Sequence, residues 1–261
     1  MMSEFYLTLP SNSSVEYYPE NTLTSFTTRL PNSIHLEGDW DVGLVEIQYP
    51  HNWYNIPEDL PKRTFSVRIR ENRSNEINSS FSIAKGYYPT MTHVVNTIAK
   101  KINDCTNKTT QNQITMEYDE ITGKVSGLFE YDLQVRISDH MQRMLGLNNS
   151  SLMMTRGREW QAPYGADLDP MDSLYVYCDV LEPRVVGDTL APLLRIVPVA
   201  GKHGDLITRI YENVHYIRVQ KKNFQTIEIN IRDRTGKKVS FEPGTLNVTL
   251  HFRRRKRLST L

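Results

Sequence analysis

Apolar and polar residues alternate along the last third of the chain, and this two-residue period limits the possible folds more than any other feature. In TIEINIRD the apolar side chains are Ile227, Ile229 and Ile231, and TLNVTLHF repeats the pattern further on. Successive side chains of a β-strand point to opposite faces, so this period is typical of strands with one buried face. Glycine and proline separate these strands, and no helical pattern lies between them. The pattern therefore predicts an antiparallel sandwich or barrel.

The middle of the chain follows a different pattern. Apolar residues recur every three or four positions in MTHVVNTIAKKI, which predicts an amphipathic helix with Thr90 or Thr92 as its N-cap. A β-hairpin and a short helix in DHMQRMLGL follow, the helix capped by Ser138 or Asp139 and ended by Gly146. We therefore predict an all-β fold class, a single jelly-roll antiparallel sandwich with an inserted small α+β subdomain. The predicted ranges are 1–60 and 170–252 for the sandwich, 62–160 for the insert and 253–261 for a basic tail.

No motif for catalysis, a cofactor or a metal is found in the sequence. The seven histidines occur singly, without an HxH or HExxH pair, and no GxSxG, Walker A or GxGxxG motif occurs. Cys105 and Cys178 are far apart, so we expect two inert thiols. A cupin, or a thiol protease built on Cys178, Asp179 and His215, is the enzymatic alternative, but Cys178 falls in the middle of a predicted strand. We predict that the protein is not an enzyme and has no catalytic residue, no cofactor and no metal site.

Localisation is predicted from the ends and from hydropathy. The first ten residues have no basic region before their short apolar run, so we expect no secretory signal and synthesis in the cytosol. No apolar run approaches the ~18 residues that a membrane-spanning helix needs. We therefore expect no contact with a membrane.

Two apolar stretches are candidate subunit contacts. WDVGLVEIQYPHNWYNI, residues 40–56, is apolar on both faces of a predicted central strand and ends in aromatic residues, which are enriched at permanent interfaces. GDTLAPLLRI, residues 187–196, carries three leucines and one arginine. Core packing, or a loop that folds back on the sandwich, remains an alternative for both. The candidate contact residues are Tyr49, Pro50, His51, Trp53, Tyr54, Leu190, Leu193, Leu194 and Arg195.

Five consecutive cations follow the last predicted strand. Without these five, 26 basic residues face 30 acidic ones, from totals of 31 and 30, so a mildly acidic body carries a basic end. Such a run binds phosphates with little sequence preference, so it is a candidate contact for nucleic acid or an acidic partner. A nuclear-localisation signal and a merely solvated end are the alternatives. The five residues are Arg253, Arg254, Arg255, Lys256 and Arg257.

Five blocks, taken in order, resemble the minor capsid, or penton, proteins of Polinton/Maverick elements and of related adintovirus-like and virophage-like viruses. They are FYLTLPSNSS (5–14), YPENT (18–22), WDVGLVEIQYPHNWYNI (40–56), LYVYCDVLEPRVVGDTLAPLLRIVP (174–198) and FQTIEINIRDRTGKKVSFEPGTLNVTLHFRR (224–254). Region 62–160 has no matching motif.

This resemblance implies a single jelly roll that forms a homopentamer at the five-fold vertices of an icosahedral shell, beside a double-jelly-roll major capsid protein. It implies a place in the virion, after synthesis in the host cytoplasm and with assembly in the nucleus as an open alternative, and the basic tail would then contact packaged DNA. A carbohydrate- or receptor-binding jelly roll outside any capsid is the alternative function.

Overall fold

The computed structural model describes residues 3–56, 58–72, 75–105, 114–128, 132–148, 151–168 and 171–255. The chain divides into two compact units, the sandwich unit (Met1–Trp53 with Met171–Leu261) and the insert (Tyr54–Pro170). The sandwich unit consists of antiparallel sheets, and the described residues of the insert combine strands with two α-helices and a short 3-10 helix. The predicted fold class, a jelly-roll sandwich with an inserted α+β subdomain, is confirmed.

The strands and α-helices of the described residues occur in the following order along the chain. They are β1 (Glu4–Pro10), β2 (Ser25–His35), β3 (Trp40–Pro50), β4 (Thr64–Asn72), β5 (Asn75–Ser82), α1 (Met91–Cys105), β6 (Thr115–Asp119), β7 (Lys124–Leu128), β8 (Asp132–Ile137), α2 (Asp139–Met144), β9 (Ser151–Met154), β10 (Glu159–Gln161), β11 (Ser173–Cys178), β12 (Arg184–Val186), β13 (Thr189–Ala191), β14 (Leu193–Pro198), β15 (Leu206–Ile210), β16 (Ile217–Arg218), β17 (Asn223–Arg232) and β18 (Asn247–Arg254).

Two antiparallel sheets form the sandwich unit. The first has the strand order β1-β18-β3-β15, with β16 also paired to β3, and the second has the order β14-β11-β17-β2. The alternating apolar residues of β17 and β18 all point into one shared core, as their two-residue period predicts. Among the described strands, β12 and β13 pair with each other alone and form a separate hairpin. β1 and β15 therefore lie at opposite edges of the first sheet.

β3 is covered on both faces, as expected for a central strand. Its residues from Trp40 to Leu44 are all buried. A segment that includes Val214 and His215 crosses the outer face of the strand at Gly43. A glycine is needed there, because a Cβ atom at this position would lie 2.4 Å from Val214 Cγ1 and 2.8 Å from the carbonyl oxygen of His215.

The insert has its own hydrophobic core. The buried face of α1, which includes Val95 and Ile98, packs with the inward residues of the sheet β5-β4-β8-β9, among them Val67 and Val135. β6, β7 and β10 form a second, smaller sheet.

Both α-helices of the insert's described residues begin at a predicted capping residue, and α2 also ends at the predicted glycine. Thr90 Oγ1 accepts a hydrogen bond from the His93 backbone N–H at 3.3 Å, which makes Thr90 the capping residue of α1. Ser138 Oγ accepts the Met141 backbone N–H at the start of α2. Gly146, with φ at +71°, follows the last turn of α2 and allows the chain to leave the helix.

Candidate subunit-contact surfaces

Three of the predicted contact residues in the first stretch are buried inside the sandwich unit. The His51 ring stacks on Trp53 with centroids 4.2 Å apart, and Trp53 packs edge-on against Phe241 at 5.6 Å. Tyr49 is fully buried, and burial raises the pKa of its hydroxyl. Tyr49, His51 and Trp53 are therefore core residues, and the prediction is corrected for them. Pro50 and Tyr54 are half-buried.

The second stretch, residues 187–196, also contains both buried and exposed candidate residues. Leu193 and Leu194 are buried, so these two leucines also belong to the interior, not to a contact surface. Leu190 is exposed. The half-buried Arg195 holds its guanidinium 3.5 Å from the ring centroid of Tyr211, the residue that follows β15. This contact makes β14, the edge of the second sheet, a neighbour of the end of β15.

The sandwich unit also exposes aliphatic side chains on β15 and on the β12–β13 hairpin, and of these the sequence analysis singled out only Leu190. Leu206 and Ile210 lie on the outer face of β15, and Val185 lies opposite Leu190 in the β12–β13 hairpin that leads into β14. Each of these four side chains is between 61% and 75% exposed. We call Leu206 and Ile210 the β15 patch. Pro50 pairs with Leu206 across β3 and β15, so it lies beside this patch.

The opposite edge exposes aromatic and aliphatic residues. Tyr6 lies on the outer face of β1, and Val15 and Tyr17 lie in the loop that follows. The Arg29 guanidinium sits 4.3 Å from the Tyr17 ring centroid. We call Tyr6, Val15 and Tyr17 the β1 patch. Neither patch could be identified from the sequence, because single apolar residues are common on protein surfaces and those of the patches look no different.

Three of the five predicted tail cations contact groups of the same chain. The Arg253 guanidinium lies 3.4 Å from the Tyr216 ring centroid, and Arg255 Nε is 2.9 Å from Asp41 Oδ1. Arg254 lines a cavity of about 580 Å³ whose wall includes Phe5, Ile34, Leu36 and Trp40. Lys256 and Arg257 lie outside the described residues.

The thiol considered as a nucleophile lies in the core of the sandwich unit. Cys178 is buried in β11, and this burial raises the pKa of its thiol to about 12. A thiol in that state is not a nucleophile at neutral pH. Within the described ranges, no group of three His, Cys, Asp or Glu side chains could hold a metal ion. The helices of the described part of the chain include none that is both long and apolar enough to cross a membrane.

These features define a class, a single jelly roll with an α+β insert between two parts of the sandwich. Within it, the structure is similar to the mavirus penton protein, with a TM-score of 0.53 and 12% sequence identity over 95% of this chain and 99% of that one. It is also similar to a protein chain in the structure of the Sputnik virophage, with a TM-score of 0.51 and 10% identity over 97% and 98% of the two chains. No protein-family model and no curated protein sequence matches the chain. The predicted resemblance to virophage-like penton proteins is thus confirmed at the level of the fold.

Proposed function

We propose that this protein is a structural capsid subunit of the penton class, whose copies close into a ring of five at the vertices of an icosahedral shell. One observation carries the proposal: the similarity to the mavirus penton protein extends over nearly the whole of both chains, insert included. In the virion, the ring would sit beside a double-jelly-roll major capsid protein. The basic tail would face the packaged DNA.

A closed ring needs two different patches on each copy, because one patch meets the other on the neighbour until the ring is complete. The strand order of the first sheet separates two such patches. β1 and β15 are its opposite edges, and each carries exposed apolar side chains. An exposed apolar patch on a protein surface often marks a site of contact with another protein.

We therefore place the β15 patch of one copy against the β1 patch of the next. The aliphatic side chains of Leu206 and Ile210 would pack on the rings of Tyr6 and Tyr17, which removes apolar area from water on both sides. The β12–β13 hairpin pairs with no other strand of the described ranges, and a two-stranded hairpin is marginally stable in water. A neighbouring copy that covers the exposed side chains of this hairpin would hold it in place.

The test is the mass of the protein in solution, measured by light scattering over a range of concentrations. We expect a species of five times the 30.3 kDa chain mass for the wild type. The double variant Leu206→Ser/Ile210→Ser should be monomeric. Ile121→Ser is the matched control, since Ile121 is 97% exposed in the insert, outside both patches, and this variant should assemble as the wild type does. A wild type that stays monomeric at every concentration contradicts ring closure.

A further inference from the structure

The sandwich unit has an apolar pocket between the edge strands of its two sheets. Part of the wall comes from β1, the edge of the first sheet, and part from the end of β2, the edge of the second. The volume of about 580 Å³ is within the range of cavities that hold small ligands, so it can accept more than one side chain. We call this the β1–β2 pocket, and its apolar lining is Phe5, Ile34, Leu36 and Trp40.

The β12–β13 hairpin presents two aliphatic side chains to solvent. Val185 and Leu190 lie directly opposite each other on its two strands, and they are 75% and 72% exposed. A two-stranded hairpin is marginally stable in water unless it packs on another surface. Because both side chains are exposed, they do not occupy the pocket of their own chain.

The pocket and the hairpin lie at the same end of the first sheet but on its opposite sides. One row of paired residues crosses β1, β18, β3 and β16, and the pocket residues Phe5 and Trp40 adjoin this row in sequence. Glu182, two residues before the hairpin, donates its backbone N–H to the Arg218 carbonyl of β16 at 3.0 Å. Four strands therefore span ~14 Å between the two features. The row consists of Glu4, Arg253, Asp41 and Arg218.

Opposite charges accompany the two features. Arg184 is exposed beside Val185 in the hairpin, and Glu37 is exposed on the pocket wall. The hairpin also carries Asp188 and the pocket wall also carries Arg254, so neither surface has an excess of one charge that would oppose contact. Charges of both signs on each surface favour one orientation of the hairpin over the others.

We propose that the hairpin of one copy inserts Val185 and Leu190 into the β1–β2 pocket of the next copy. This inference rests on the proposed ring and adds the place where each copy holds its neighbour. Each copy would give its hairpin to one neighbour and receive the hairpin of the other, as a contact between unlike patches requires. The pocket adjoins the β1 patch, since Phe5 and Tyr6 are consecutive, and the hairpin leads into β14, which neighbours the end of β15.

A disulfide cross-link between copies tests this contact. The full-length variant His35→Cys/Cys105→Ser/Leu190→Cys has one cysteine on the pocket wall and one on the hairpin, while the remaining Cys178 is buried. After oxidation with oxidised glutathione and blocking of free thiols, we expect a ladder on a denaturing gel that ends at five times the 30.3 kDa chain mass. The matched control is His35→Cys/Cys105→Ser/Ile121→Cys. Its second cysteine replaces a residue that is 97% exposed in the insert, and it should stay at the mass of one chain.

A second variant tests the apolar side chains without any new cysteine. Val185→Ser/Leu190→Ser changes only exposed positions, so the fold of the chain should be unaffected. We expect the protein concentration at which half of the chains are assembled, measured by light scattering, to rise about tenfold or more. Ile121→Ser is again the control and should assemble as the wild type does.

Failure of the hairpin contact and failure of ring closure give different results. If the wild type has five chain masses in solution, the hairpin contact is overturned by a test variant without a ladder, by an equal ladder in the control, or by wild-type assembly of Val185→Ser/Leu190→Ser. Ring closure then still stands. A monomeric wild type contradicts ring closure. In that case a ladder from the concentrated test variant supports the hairpin contact, and the absence of a ladder overturns it as well.

Discussion

Val214 lies directly over Gly43, so close that a Cβ atom at position 43 would be 2.4 Å from its Cγ1 atom. The carbonyl oxygen of His215 would lie 2.8 Å from the same Cβ atom. The segment that follows β15 therefore closes over the central strand only because residue 43 has no side chain.

Gly43→Ala should lower the free energy of unfolding by about 1–3 kcal/mol, the usual range for overpacking a filled site. Urea denaturation of the monomer-forming background Leu206→Ser/Ile210→Ser measures this without interference from assembly. Gly165→Ala is the control, since a Cβ atom there meets nothing nearer than 3.7 Å, and it should change stability little. Equal effects of the two substitutions would contradict the close approach of Val214.

The Cys178 thiol should stay unreactive in the folded protein. Burial raises the pKa of this thiol from 9.0 to about 12, so the fraction present as thiolate at pH 8 is very small. The pKa of this thiol is higher in the folded protein than in the unfolded chain, so the folded state favours the protonated thiol. The protonated Cys178 therefore contributes its full share of stability below pH 9, and this share is lost as the pH rises toward 12. A thiol reagent should therefore label the half-buried Cys105 first and Cys178 only on unfolding. Rapid labelling of a Cys105→Ser variant in native buffer would show that Cys178 is accessible.

Ser138→Ala should destabilise the insert by about 1 kcal/mol, because it removes the acceptor for the Met141 backbone N–H at the start of α2. The Ser138 hydroxyl also donates to the Lys62 carbonyl, so the substitution removes a link between α2 and the turn before β4. Hydrogen exchange of the amides in α2 measures the effect, and Ser138→Asp, which keeps a capping oxygen, should retain more protection. Unchanged exchange in Ser138→Ala would rule out the cap.

Two variants that each lose a different patch should recognise one another. Tyr6→Ser/Tyr17→Ser keeps an intact β15 patch, whereas Leu206→Ser/Ile210→Ser keeps an intact β1 patch. Each should be monomeric alone, and their mixture should form a dimer of two unlike variants, since one complete contact can form and no ring can close. Light scattering of the mixture at equal amounts measures this. A mixture that stays monomeric would place the contact elsewhere.

Local signals in the sequence were enough to predict the alternating strands β17 and β18 and the capping residues of the two α-helices. Thr90, Ser138 and Gly146 act through neighbours within a few residues, so their roles follow from sequence alone. Burial of the residues near the end of β3 could not be predicted in this way. His51 donates its backbone N–H to the Asp205 carbonyl, and Trp53 packs on Phe241, so both depend on segments more than 150 residues away.

The contact surfaces could not be predicted from the sequence either. An aromatic stretch fits a core and an interface equally well, and composition cannot distinguish them. The exposed edges became visible only once the strand order put β1 and β15 at opposite ends of one sheet. Among the candidate contacts, Leu190 is exposed, and it lies in the β12–β13 hairpin.

The pairing of β1 with β18, from Glu4 against Arg253 to Pro10 against Asn247, also determines when each part of the chain can fold during synthesis. β1 leaves the ribosome more than 200 residues before its partner β18. By the time β18 is made, both strands of each described pair in the insert have already been made. Contacts that close such a long loop form late, and an unpaired edge strand is exposed until they do. The insert can therefore be a finished structure on the nascent chain while the sandwich still lacks its closing strand, and subunit assembly through the β1 edge has to wait until β18 has been made.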